Sequence, residues 1–301
     1  MSEEPPLSEQ TAALYRAIDA DDRGKVIRLL WDPRTDPAAD YNGPVQTAAA
    51  GNKHRALAVL LRDRRVDPAA RDNWAIRHAA EEEATECVAL LLKDPRVDPS
   101  DYGNYALYKA ARHGYDRIVA LLLTDPRVRP DDLSLIAAAL RGRTGVVALL
   151  LADPRANPAA YDGEALWKAA LYGYIDTVAL LMADPRVDPA ARNNKAIRNA
   201  AKNRLGRPHS VRVVARLLAS PRVDPGAKSN RALQNAAKHG EEAIALLLLA
   251  DPRVDPAALD PPEFAAFRAR PRVAEALRAA RARRRWTPLR AAWAGAVVAG
   301  R

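Results

Sequence analysis

The stretch Asp94-Pro95-Arg96-Val97-Asp98-Pro99 follows the apolar run Leu90-Leu91-Leu92 and precedes the polar Asp101-Tyr102-Gly103-Asn104. Near-copies of it begin at Asp32, Asp63, Asp94, Asp125, Asp153, Asp184, Ser220 and Asp251, at steps of 31, 31, 31, 28, 31, 36 and 31 residues. Self-similarity at a fixed period of this size signals a stacked repeat array and outranks any local motif in deciding the fold.

Residues Pro99 to Thr124 serve to read one period. Each proline lacks an N–H and restricts the residue before it, so no helix runs through the hexapeptide. Asp101-Tyr102-Gly103-Asn104 reads as a turn tip, with Asn104 a candidate cap for the next helix. In Tyr105-Ala106-Leu107-Tyr108-Lys109-Ala110-Ala111, residues Leu107, Ala110 and Ala111 share one helical face. His113-Gly114 stops that helix. Ile118-Val119-Ala120-Leu121-Leu122-Leu123 forms a second helix that ends at Asp125-Pro126. Neither helix is long enough to be stable alone in water, so each must be covered by the next unit. The repeated Leu triplets are expected to be the main cohesive term, with Leu121 a mid-array core position.

The unit resembles an ankyrin repeat. The family's first-helix slot is filled by Trp74-Ala75-Ile76-Arg77-His78-Ala79-Ala80, by Tyr105 to Ala111, by Glu164-Ala165-Leu166-Trp167-Lys168-Ala169-Ala170, by Lys195 to Ala201 and by Arg231 to Ala237. Gly114, Gly142, Gly173 and Gly240 match the family's reversal glycine, and Leu60-Leu61, Leu90-Leu91, Leu121-Leu122, Leu149-Leu150 and Leu180-Leu181 match its Leu-Leu run. The family's Thr and His are absent from every copy, which removes the residues that stitch neighbouring ankyrin units by hydrogen bonds; the prolines are expected to stiffen the turn instead. The Asp-Pro-Arg-Val-Asp-Pro ending is similar to that of ankyrin arrays in large DNA viruses of amoebae. The resemblance implies an all-α, ankyrin-type solenoid of about eight turn–helix–helix repeats with a C-terminal helical cap. The expected division is a flexible leader over 1–9, a repeat array over 10–256, and a basic helical cap and tail over 257–301. The fifth repeat has lost three residues at its tip, and the seventh carries five extra near 205–210.

Composition excludes several classes. Met1 to Gln10 is acidic with no apolar core, so no signal peptide is expected. No apolar run approaches 18 residues, so no membrane span or membrane partner is expected. Cys87 is alone and cannot close a disulfide within the chain, which fits a reducing, intracellular and cytoplasmic setting. The histidines are scattered over five repeats, and no zinc spacing, phosphate loop or nucleophile elbow occurs. No enzyme activity, metal or cofactor is therefore expected.

The net charge of +10 is uneven, because residues 257–301 hold ten Arg against three acids. Arg281, Arg283, Arg284 and Arg285 form a basic patch. It reads either as a nucleic-acid or nuclear-import segment or as a solvated cap helix with its cations near the C-terminus. The Asp and Arg of the hexapeptide recur in most units, so they serve the unit and not one ligand; Arg96 is expected to pair with Asp98 or a neighbour's Asp. Specificity must lie where units differ. In ankyrin-like stacks the turn tips and outward first-helix positions line a concave surface. Matching positions here include Tyr41, Trp74, Tyr105, Arg77 and Lys238, with Tyr102, Tyr108, Arg112, Arg141, Tyr161, Trp167, Tyr172 and Lys202 as the expected contact residues for another protein. Aromatics with cations are the residue types enriched at binding hot spots. The expected functional form is a monomeric, non-enzymatic interaction scaffold, with nucleic-acid binding through the Arg-rich segment as the alternative.

Overall fold

The structure is a computed structural model that describes residues 8–202 and 209–284. Most of the leader, the core of the seventh-repeat insertion, Arg285 and the apolar stretch Leu289 to Ala299 lie outside the described residues. Among those described there is no strand. The chain divides into two compact units, Met1–Asn157 and Pro158–Arg301, where the sequence suggested one array over 10–256. The boundary falls within the fifth hexapeptide, before its second proline, Pro158.

The first unit holds five helix pairs: α1 (Glu9–Asp19) with α2 (Arg23–Leu30), α3 (Ala39–Ala50) with α4 (His54–Leu60), α5 (Ala70–Glu81) with α6 (Thr85–Leu91), α7 (Asp101–His113) with α8 (Asp116–Leu122), and α9 (Asp132–Arg141) with α10 (Thr144–Ala152). The second holds three: α11 (Ala160–Leu171) with α12 (Ile175–Ala183), α13 (Ala191–Ala200) with α14 (Ser210–Leu218), and α15 (Ala227–Lys238) with α16 (Glu242–Ala250). Two 3-10 turns (Pro256–Leu259 and Pro262–Phe264), α17 (Ala265–Arg268) and a helix over 271–284 follow. Within each unit, first helices pack on first helices and second helices on second helices. The small Ala110-Ala111 pair and its counterparts are fully buried there, as close helix approach requires.

Burial follows the hexapeptide with the same period. The second proline of each copy, Pro99 for example, is buried, whereas the first, Pro95, is exposed. The apolar residue between them, Val97 or its equivalent, is buried in every described copy. In the Leu triplet of α8 the load rests on Leu122, which is fully buried; Leu121 is only half-buried. Leu121 as a core position is therefore corrected by one residue. The register is set by Ile118, which with Leu122 at i+4 lines the inner face.

The hexapeptide Arg pairs inside its own copy. Arg96 donates to both carboxylate oxygens of Asp94, at 2.9 and 2.6 Å, and not to Asp98. The same guanidinium donates to the carbonyls of Val66 (2.7 Å) and Leu61 (3.0 Å) in the preceding repeat. Leu61 caps α4, so the Arg satisfies a carbonyl that the helix end leaves open. Arg65 and Arg253 repeat the arrangement on Thr35 and Leu30, and on Val223 and Leu218. The expectation that these charges serve the unit holds; their partner is the Asp two residues back. That Asp also accepts from the Arg backbone N–H, closing an Asx turn.

These pairs carry a pH dependence. The carboxyls of Asp32, Asp63, Asp94, Asp125, Asp153, Asp184 and Asp251 are all held below the ordinary value by hydrogen bonds from the neighbouring Arg. A depressed folded pKa stabilises the folded state above the unfolded pKa and loses that stability as pH falls through the folded one. The window therefore runs downward from 3.8 to about 2, the latter reached at Asp32. Urea midpoints followed by circular dichroism should fall through this window. A variant carrying Asp63→Asn, Asp94→Asn and Asp125→Asn together should start lower at neutral pH and fall less. Equal acid sensitivity in both would show that the pairs are energetically silent, as many exposed ones are.

The tip is a run of three left-handed residues. Tyr102, Gly103 and Asn104 have φ of 52, 67 and 59°. Equivalent triplets are Asp40-Tyr41-Asn42, Arg71-Asp72-Asn73, Tyr161-Asp162-Gly163, Arg192-Asn193-Asn194 and Lys228-Ser229-Asn230. For non-glycine residues this costs about 1–2 kcal/mol per residue. Several bonds offset it. The third residue donates its N–H to the carbonyl four back, as Asn73 does to Ala69 at 2.9 Å. The side chain at the next turn of helix donates to tip carbonyls: Gln46 to Tyr41, Arg77 to Asp72 and Arg71, Arg198 to Asn193 and Arg192.

The third position also links repeats. The side-chain oxygens of Asn42, Asn73, Asn194 and Asn230 accept from the backbone N–H of Asp67, Asp98, Asp224 and Asp255, at 2.7–2.8 Å. This Asn-to-Asp bond takes the place of the missing Thr–His contact, so hydrogen bonding between units is retained by different residues. Asn104 is not a helix cap, contrary to the sequence expectation: it lies inside the triplet, and its buried Oδ1 has no partner. The following repeat, shortened at its tip, has no triplet and starts α9 from an ordinary cap, with Asp131 accepting from the Ser134 N–H at 2.7 Å. Gly163 is the one third-position residue in these triplets with no side chain to offer. Substituting Gly163→Asn should raise stability by about 0.5–1.5 kcal/mol by adding the link, since Asn tolerates this conformation and the nearest atom to an added Cβ is 3.6 Å away. The reverse change, Asn73→Gly, should lower it by about 1–3 kcal/mol. Chemical denaturation of both variants checks the pair; opposite signs are required.

Candidate partner-binding surface

In the first unit the tip and first-helix positions form a connected set of rings and cations. Tyr102 is 64% exposed and lies over the Arg77 guanidinium, 4.8 Å from its ring centre. Arg77 is itself held by the Arg71 and Asp72 carbonyls, so it is a fixed platform for the ring. Tyr105 stands edge-on to Tyr102 at 5.8 Å and 6.5 Å from Tyr108. The Lys109 ammonium sits 5.0 Å from the Tyr105 ring and bonds Glu81 at 2.5 Å. Tyr41 of the second repeat (62% exposed) covers Arg71 of the third at 4.8 Å, and in the third Trp74 stacks on His78 at 3.7 Å. These last four line a groove of about 750 Å³ with Asp19, Asp40 and Glu82. Arg112 is half-buried and Arg141 exposed, each in the last turn of a first helix; neither joins the ring cluster.

In the second unit Tyr161 is 55% exposed at its tip. Tyr172 is half-buried and stacks with Tyr174 at 6.3 Å. Trp167 does not present its ring to solvent: it is 9% exposed, because the Lys195 ammonium of the next repeat covers its face at 3.4 Å and Lys168 lies 4.7 Å away. Its role as an open contact residue is corrected to packing. Lys202 is half-buried and donates to Asn199 at 3.0 Å.

The basic patch is largely occupied by its own chain. Arg281 bonds Asp260, Arg283 bonds the Leu249 carbonyl, and Arg284 pairs with Asp255 at 3.0 Å. Phe264, Phe267, Val273 and Leu277 are buried beneath, so these cations hold a helix against the end of the second unit.

Sequence reasoning missed Trp31, the most exposed large apolar side chain among the described residues at 84%. It sits with Ile27, Leu30 and Val59 in a hollow of about 600 Å³ on the second-helix side, rimmed by Arg23, Arg62 and Arg64. The signal was available: Trp31 directly precedes the first hexapeptide, where the other units carry Arg62, Lys93, Thr124 or an alanine. Also missed were Lys109, Lys195, Arg198 and Arg231, which differ between units yet sit among residues read as core. Cys87 is fully buried, and burial pushes its thiol up to about 12, so it is unreactive. Among the described residues no three His, Cys, Asp or Glu stand close enough to hold a metal ion, and no helix is long and apolar enough to cross a membrane.

Comparison with known proteins agrees with this geometry. Residues 45–132 match the family model for ankyrin repeats, in three copies. Among solved structures, the ankyrin repeat domain of Bcl-3, described as a unique member of the IkappaB protein family, superposes with a TM-score of 0.53 at 20% identity, over 69% of this chain and 98% of that one. A comparison with curated proteins found no match.

Proposed function

Because the chain carries ankyrin repeats and is all-α of that type, we propose that it is a non-enzymatic module in which each unit offers a partner protein the face formed by its own turn tips and first helices. Ankyrin repeats are in general protein-interaction modules. The observation that carries the choice of face is the set of exposed tip tyrosines, Tyr41 and Tyr102 in the first unit and Tyr161 in the second. Tyr41 and Tyr102 rest on arginines, and Arg77 is fixed by tip carbonyls. A rigid, amphipathic ring loses little conformational entropy on binding, which favours it as an anchor. Tyr108, Arg112, Arg141, Tyr172 and Lys202 border this face in the proposal, and an intracellular site of action goes with it.

A photo-crosslinking residue placed singly at Tyr102, Tyr161, Trp31 or Ala148, in cells, tests it. Capture of one discrete protein from Tyr102 or Tyr161 but not from Ala148 is the expected result. Capture from Trp31 alone moves the surface to the second helices. Nucleic-acid binding through the Arg-rich segment has less support, since Arg281, Arg283 and Arg284 already bond within the chain. A nuclease-sensitive complex that is lost on truncation to 1–256 would favour that alternative.

A further inference from the structure

The second unit brings Arg198, Arg231 and Lys238 together in one depression whose described lining holds no carboxylate. A depression of about 460 Å³ lies between the first helices of the seventh and eighth repeats, α13 and α15, and is lined by Arg198, Lys202, Arg231, Asn235, Lys238 and His239. Four of these are permanent cations, and no carboxylate is among them. Arg198 and Lys202 are one helical turn apart on α13 and its end; Arg231 and Lys238 lie two turns apart on the facing α15. The lining is held in place. Arg198 donates to the tip carbonyls of Asn193 and Arg192, both at 2.9 Å, and Asn235 donates to the Arg198 carbonyl at 2.7 Å across the two repeats. Burial and the charge of Arg231 push the Arg198 guanidinium below its ordinary value. Lys195, one turn before on the same helix, is pushed down by burial and by Arg192. Like charges fixed side by side repel, and an anion seated among them relieves that repulsion.

The equivalent surface in the first unit has a different character. Its groove mixes Asp19, Asp40 and Glu82 with Arg71 and His78, and Lys109 is neutralised by Glu81. The cationic site is thus particular to two repeats and is not a property of the repeat type.

We propose that the α13–α15 depression binds an acidic segment of a partner protein, with Arg198, Lys202, Arg231 and Lys238 receiving its Asp and Glu carboxylates. Charge complementarity selects the occupant, and Arg is well suited to it because its fork matches a carboxylate. Single-stranded nucleic acid fits less well, since proteins that bind it add aromatic platforms for the bases, and His239 is the only ring in the lining. The proposal rests on the protein-binding reading above and names the chemistry of the partner for one part of that face.

The test measures fluorescence anisotropy of three labelled probes with the full chain: an oligo-glutamate peptide, an oligo-glutamine peptide of the same length, and a single-stranded oligonucleotide of the same charge. Oligo-glutamate should bind at least about ten-fold more tightly than oligo-glutamine and weaken as salt rises. The double substitution Arg231→Glu with Lys238→Glu, at two exposed positions, should reduce that binding about ten-fold or more with an unchanged circular dichroism spectrum. Arg117→Glu, at an exposed position of α8 in the first unit, should leave it unchanged. Oligo-glutamate binding no better than oligo-glutamine, or binding equally reduced by Arg117→Glu, overturns the proposal. So does tighter binding of the oligonucleotide that the double substitution abolishes. Failure of the wider reading is separable: a discrete partner still crosslinked from Tyr102 or Tyr161 in the double variant leaves protein binding intact while the acidic-segment assignment falls.

Discussion

Leu122→Ala should destabilise the first unit by about 3–5 kcal/mol, while Leu121→Ala, its neighbour in the same run, should cost only about 1–2 kcal/mol. Leu122 is fully buried between helices of adjacent repeats, so truncation removes its burial energy and leaves a cavity. Leu121 is half-buried and has less to lose. Stacked repeats contact only their neighbours, so the damage should propagate from the fourth repeat and split or broaden the unfolding transition. Urea denaturation combined with hydrogen exchange reads both quantities. Comparable losses for the two substitutions would mean that the inner face of α8 is misassigned by one residue.

Trp167→Ala should cost about 3–5 kcal/mol in the second unit. The ring is nearly enclosed, and the Lys195 ammonium at 3.4 Å and Lys168 at 4.7 Å add cation–π attraction, worth about 0.5–2 kcal/mol where solvent is partly excluded. Its buried Nε1 has no hydrogen-bond partner. Trp167→Phe should therefore cost much less than the alanine change, because it keeps an aromatic face for both cations and removes a donor whose burial is uncompensated. Denaturation midpoints of the two variants, with hydrogen exchange over α11 and α13, test the ordering. If Trp167→Ala keeps wild-type stability and instead loses a crosslinked partner, the ring is a contact residue after all.

Both cases show where a repeat sequence is legible. The period, the paired helices and the breaks between them were readable because prolines forbid helix, glycines end it and apolar residues recur with helical spacing. These are local rules, and eight copies in register reinforce one another. The hexapeptide charges were read as serving the unit for the same reason: what recurs in most copies is not particular to one ligand, and the Arg bonds within its own copy and to the preceding repeat.

The sites were less legible, because exposure is a property of neighbours. Trp167 and Tyr102 are both aromatic side chains near the start of a repeat, yet one is covered by Lys195 from the following unit and the other stands open above Arg77. Nothing within either repeat decides this; the side chain supplied by the adjacent repeat does. Trp31 was passed over although its position, directly before the hexapeptide, is elsewhere held by Arg62, Lys93, Thr124 or an alanine. The Asn-to-Asp link could not be read at all, since it requires three left-handed residues in a row, a conformation local propensity opposes and only the bonds to neighbouring segments sustain. Sequence by itself thus determined the repeat, its period and its paired helices. Tertiary structure alone decided which face of each helix is inner, what joins one repeat to the next, and which cations come to face one another, because each depends on atoms brought together from residues about one period apart.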